Sequence, residues 1–126
     1  METITVKLGE RTIEGALPAS YAVRHEVVAT GGQNVQRAFA AALGVCCPRV
    51  ERMVSAQRPT KLSYEACNYQ PLRYGGELID ALVGAGVPLA QVLEAGAECF
   101  RRMAETLITE AEVVAAVGNS EPPTGG

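Results

Sequence analysis

The sequence predicts a mainly α fold, with an amino-terminal β-hairpin packed on a bundle of about five short helices. Three observations lead there. Strict apolar alternation is confined to residues 4–13, whereas apolar residues recur at helical spacing through most of the remainder. The chain is 48% hydrophobic with only 5% aromatics and no tryptophan, so its core must be built of Ala, Val and Leu, the composition of packed helices. With 126 residues it has the size of one domain, able to bury a single core and too short for two. That domain is assigned to residues 1–118, and 119–126, rich in small residues and proline, reads as a flexible tail.

Ile4, Val6 and Leu8 alternate with polar residues up to Gly9-Glu10, and Thr12-Ile13 resumes the pattern. Glycine at the first of two turn positions is the mark of a type II′ hairpin, which pairs Leu8 with Arg11 and Val6 with Ile13. One face then carries Ile4, Val6, Leu8 and Ile13, and must dock on helices because a lone hairpin is not stable in water. Leu17-Pro18 ends the second strand, and Ser20 caps a first helix that stops at Gly31-Gly32. Asn34 caps a second, whose Val35, Ala38, Phe39, Ala42 and Leu43 form one apolar stripe before Gly44 ends it. Pro48 opens a short third helix carrying Val50, Met53 and Val54, which Arg58-Pro59 terminates.

From Pro59 to Gly76 the helical period disappears, apart from a turn or two over Ser63–Asn68. Gly75-Gly76 then leads into a helix over Glu77–Gly84 with Leu78, Ile79, Leu82 and Val83 on one face. Pro88 suits the first turn of the next, whose stripe runs from Leu89 to Leu107. Gly96 lies in mid-stripe, where glycine costs about 1 kcal/mol relative to alanine, so close approach of a neighbouring helix is expected there. Thr109-Glu-Ala-Glu112 reads as a capping box that begins a last short helix ending at Gly118.

The pattern of reactive residues offers little for chemistry. Cys46, Cys47, Cys67 and Cys99 have no repeated metal-ligand spacing and His25 is the only histidine, so neither a metal site nor a Cys/His nucleophile is expected. The cysteines read as small buried apolar residues. Neither double glycine is followed by the lysine and hydroxyl residue of a phosphate loop, and no cofactor is expected. Glu94 and Glu98 are spaced to pair with Arg101 and Arg102 on a solvated helix face rather than to act as paired acids. The chain therefore reads as non-enzymatic. No apolar run reaches the roughly 20 residues of a membrane span, and the amino terminus lacks the apolar centre of a secretion signal.

What remains is a surface. The segment 62–76 holds three of the four tyrosines together with Arg73, on a connector punctuated by Pro71 and Gly75-Gly76. Tyrosine joins a large apolar ring to a polar tip, a combination suited to recognition, and Tyr64, Tyr69, Arg73 and Tyr74 are the candidate partner-binding residues. Residues 45–74 carry five basic groups against two acidic, whereas 75–126 carry two against eight. That asymmetry can steer an acidic partner or bring two copies together. Arginines interleaved with tyrosines also suit single-stranded nucleic acid, but a pI near 5.2 argues against a polyanion.

The order of Lys-Leu-Gly-Glu-Arg-Thr-Ile in the hairpin, Pro-Ala-Ser-Tyr-Ala-Val-Arg-His-Glu (18–26), Gln-Arg-Ala-Phe-Ala-Ala-Ala-Leu-Gly (36–44) and Tyr-Gly-Gly-Glu-Leu-Ile-Asp-Ala-Leu (74–82) resembles the small tail assembly chaperones of long-tailed bacteriophages. The resemblance extends over most of the chain in layout and rests on motifs without catalytic content. It implies a non-enzymatic helper in the host bacterial cytoplasm that coats the tape measure protein before tail tube subunits polymerise around it. The same features fit a structural virion protein, such as a tail completion or connector protein, or a small regulator that binds a host protein or nucleic acid. The Tyr74-Gly-Gly-Glu77 stretch belongs to the resemblance, so Tyr74 also has a reading as an anchor for the helix that follows.

Overall fold

The hairpin forms as its alternation dictates. In the computed structural model, which describes residues 3–55 and 61–120 and the side chains among them through Thr109, β1 (Thr3–Leu8) pairs antiparallel with β2 (Arg11–Ala16). The register places Leu8 opposite Arg11 and Val6 opposite Ile13. Gly9 has φ 64° and Glu10 is not left-handed, the combination of a type II′ turn. Ile4, Val6, Leu8 and Ile13 are buried, and the Gly9 N–H donates to Gln91 Oε1 at 2.6 Å, which pins the turn to the last helix.

Five helices follow among the described residues: α1 (Tyr21–Thr30), α2 (Val35–Cys46), α3 (Pro48–Ser55), α4 (Pro71–Gly84) and α5 (Leu89–Ser120). Ser20 and Asn34 cap α1 and α2 by accepting from the Val23 and Arg37 N–H groups. The expected stop of α3 at Arg58-Pro59 lies outside the described residues. The fold class is mainly α with the hairpin at the amino terminus, as expected.

α2 is the centre of the bundle and packs most extensively on α4 and α5. Ala38, Ala40, Ala41 and Ala42 are fully buried. Small side chains let the helices approach closely, and two glycines complete the fit. A Cβ at Gly96 of α5 would overlap the Phe39 carbonyl, and one at Gly75 of α4 would overlap the Arg37 carbonyl. The close approach expected at Gly96 is therefore present, with α2 as the neighbour.

Three element boundaries depart from expectation. α2 passes through Gly44 to Cys46, because Gly44 faces the Tyr74 ring inside the core, where a Cβ would strike the phenol. α4 starts at Pro71, which holds the first helical position, so Arg73, Tyr74 and both glycines lie within the helix. It ends in a Schellman motif: Gly86 (φ 96°) donates to the Val83 carbonyl, and Val87 donates to that of Leu82.

α5 is one helix of 32 residues, longer than the short helices expected, and continues through Thr109 to Ser120. The Thr109 hydroxyl donates to the Glu105 carbonyl at 3.0 Å, bonding back along the helix instead of capping a new one. The tail expected over 119–126 thus begins inside α5, and its last six residues lie outside the described residues. Among the described residues, no helix is long and apolar enough to cross a membrane.

Candidate functional site

The connector before α4 closes as a tight turn over residues 64–69. The Tyr69 N–H donates to the Tyr64 carbonyl at 3.0 Å and the Gln70 N–H to that of Cys67 at 3.1 Å. Closing these bonds requires left-handed backbone at Asn68 (φ 54°) and Tyr69 (φ 55°). Asparagine tolerates that region, whereas a tyrosine held there costs about 1–2 kcal/mol. The strain falls on Tyr69, whose side chain is among the most exposed of the large apolar groups, at 57%.

The three tyrosines of the segment form a graded stack. Tyr69 meets Tyr64 edge-on with ring centroids 5.5 Å apart, and Tyr64 meets Tyr74 edge-on at 5.4 Å. Tyr64 is half-buried and donates from its hydroxyl to Glu26 Oε2 at 3.3 Å, tying the turn to α1. Burial first, and then the Glu26 carboxylate, pushes its phenol up to about 12. Tyr74 is fully buried and donates to the Glu51 carboxylate of α3; burial and that bond raise its phenol further. Edge-to-face pairs of this kind add roughly 0.5–1.5 kcal/mol each beyond area burial, so the outer ring sits on a rigid support.

The four expected contact residues therefore divide. Tyr69 and Arg73 are exposed, Tyr64 is half-buried, and Tyr74 is a core anchor rather than a surface residue, seated against Gly44. Arg73 and the Cys67 thiol both reach Glu77: Arg73 Nε lies 3.7 Å from the carboxylate, and the thiol donates to it at 2.7 Å. With Arg73 and Glu77 side chains 52% and 38% exposed, the ion pair is worth a few tenths of a kcal/mol at most. Its guanidinium remains available to a partner.

Beside Arg73 a shallow groove of about 630 Å³ opens between the first turn of α2 and the outer flank of α4. Leu72, Gly76 and Ile79 floor it, and Arg37, Arg73 and Asp80 stand on its rims. The groove has no counterpart in the sequence reading, because residues 36–37 and 72–80 are brought together only by the α2–α4 crossing. One signal for α4 was present: Pro71, Tyr74, Leu78 and Leu82 have helical spacing and all four are buried.

The reactive side chains occupy ordinary structural places. All four cysteines are buried thiols outside any disulfide. Cys47 and Cys99 share a thiol hydrogen bond, and a bond from Cys46 joins Cys99; the shared bond and burial push Cys47 upward, while the Cys46 bond and burial push Cys99 upward against the opposing pull of Cys47, which keeps both thiols protonated and poor nucleophiles. His25 is exposed on α1 and stacks on Tyr21 with centroids 5.8 Å apart. Glu98 accepts from Arg101 and Arg102 on α5 as the spacing suggested, and Arg101 also bonds Glu105, which completes the solvated network. The Arg101 bond chiefly holds the Glu98 carboxyl below its usual range.

No known family model, curated protein or solved structure matches the chain.

Proposed function

We propose that this chain is a non-enzymatic assembly module that holds other proteins through the outer end of the tyrosine stack, and that it serves as a tail assembly chaperone of a long-tailed phage. Its partners are then the tape measure protein and tail tube subunits, met in the host bacterial cytoplasm. The observation that carries the binding reading is Tyr69, exposed and held in left-handed backbone on top of a buried aromatic support. Backbone strain of this size persists where surrounding structure fixes it, and it concentrates at functional positions. A pre-positioned ring loses little entropy on binding, which suits moderate affinity per copy repeated along a long partner. Phage identity is supported by the four stretches of sequence that resemble tail assembly chaperones.

The test is to read the neighbouring genes for a tape measure protein and to co-express this chain with it, followed by co-purification at several salt concentrations. Tyr69→Ala should weaken capture at least tenfold while leaving helical circular dichroism and thermal stability unchanged. Binding should fall little with salt, as apolar contact does, rather than steeply as for a nucleic acid. Unimpaired capture by the variant refutes the role of Tyr69, and a neighbouring gene set without a tape measure protein refutes the phage assignment.

A further inference from the structure

α4 carries a second apolar stripe besides the one it buries. Leu72, Gly76, Ile79 and Val83 follow one another at spacings of four, three and four, the seam of a two-helix coiled coil. The first three are half-buried along the groove and Val83 is 45% exposed. Gly76 in mid-seam carries no side chain, and the Arg37 guanidinium packs over it, 3.2–3.4 Å from where a Cβ would stand. Flanking the seam on its solvent side stand Arg73 and Asp80, both exposed and one heptad apart in equivalent positions. The opposite flank, Gly75 and Leu82, is buried against the rest of the chain.

The geometry points to a second copy of this chain as the occupant of the groove, docked with the two α4 helices antiparallel about a twofold axis. In an antiparallel pair the solvent flank of one helix faces the same flank of the other. Arg73 of each copy then meets Asp80 of its partner, and symmetry supplies the pair twice. A parallel pair would set these charges against the buried flank and gain nothing. An unrelated helix could cover the apolar floor, but the order of charges here is its own complement under a twofold, which selects a copy. This inference stands apart from the chaperone reading, and its test contains no phage partner, so either can fail alone.

The experiment is sedimentation velocity over a concentration series with the full chain and with Arg73→Asp and Asp80→Arg. Wild type should shift from the 13.2 kDa monomer toward twice that mass as concentration rises. Each single variant sets like charges at both pairs and should dimerise about tenfold more weakly. Mixed in equal amounts, one copy brings two acids and the other two bases, so dimerisation should return. Both positions are exposed, so circular dichroism should stay at wild-type level; if either variant loses helix, Val83→Asp on the exposed end of the seam must weaken the dimer alone. A wild type that stays monomeric to about millimolar concentration, single variants that dimerise as wild type does, or a mixture without recovery would each overturn the proposal.

Discussion

Replacing Gly75 with alanine sets two effects of opposite sign against each other. Alanine is favoured over glycine in a helix interior by about 1 kcal/mol, so on propensity alone α4 should gain. In the folded chain, however, the new methyl group would fall inside the van der Waals envelope of the Arg37 carbonyl, a backbone atom of α2 that cannot rotate away. The two helices would have to separate along their most extensive contact, which also loosens the seat of Tyr74 against Gly44. Overpacking of this type costs about 1–3 kcal/mol and more where the backbone itself must move. A net loss of about 2 kcal/mol is expected. Gly84, on the same helix, provides the control, because a Cβ there meets nothing within 4 Å. Gly84→Ala should therefore gain up to about 1 kcal/mol. Urea unfolding followed by circular dichroism measures both, and the melting temperature should move about 4 °C per kcal/mol in opposite directions. A Gly75→Ala variant as stable as wild type, or more so, would refute the close α2–α4 packing.

The division of the tyrosines makes a second prediction by the same assay. Tyr74→Ala should lose about 3–5 kcal/mol by leaving a core cavity and the Glu51 carboxylate without its donor, whereas Tyr69→Ala should change stability by less than about 1 kcal/mol; equal losses would place both rings in the core. Alkaline pH supplies a third. Because folding raises the Tyr64 phenol above the ordinary 10.0, its contribution to stability is complete below pH 10 and is lost as pH rises through about 12. Tyr74 is raised further by burial and the Glu51 bond, so its contribution also begins to be lost near pH 10 and goes on falling beyond that window. Helix content should fall there as tyrosinate absorbance rises, and ionisation of all four tyrosines with the helices intact would contradict the buried stack.

Much of the fold was legible because it depends on short-range chemistry. The type II′ hairpin and its register follow from Gly9-Glu10 and the alternation around it, and Ser20 and Asn34 cap the helices their positions suggest. Where reading failed, a local signal was outweighed by a distant contact or by a second local option. Gly75-Gly76 has the look of a helix breaker, yet Gly75 sits inside α4 because the Arg37 backbone leaves no room for a side chain. Thr109 has the spacing of a cap, yet its hydroxyl bonds back to Glu105 and α5 continues. A capping box and a back-bonded threonine are indistinguishable until the preceding turn is known to be helical.

For the candidate site, the sequence determined that amphipathic rings and positive charge concentrate in the tyrosine segment. Tertiary structure decided how those rings are used. Tyr74 is drawn into the core by the space at Gly44, Tyr64 is tied to α1 through Glu26, and Tyr69 is left outside on strained backbone. It also decided that α2 and α4 cross, which creates a groove no linear pattern describes. Residue type sets what a side chain can do. Which side chains remain exposed depends on how closely helices distant in sequence pack, and that is settled by the shapes of their facing surfaces.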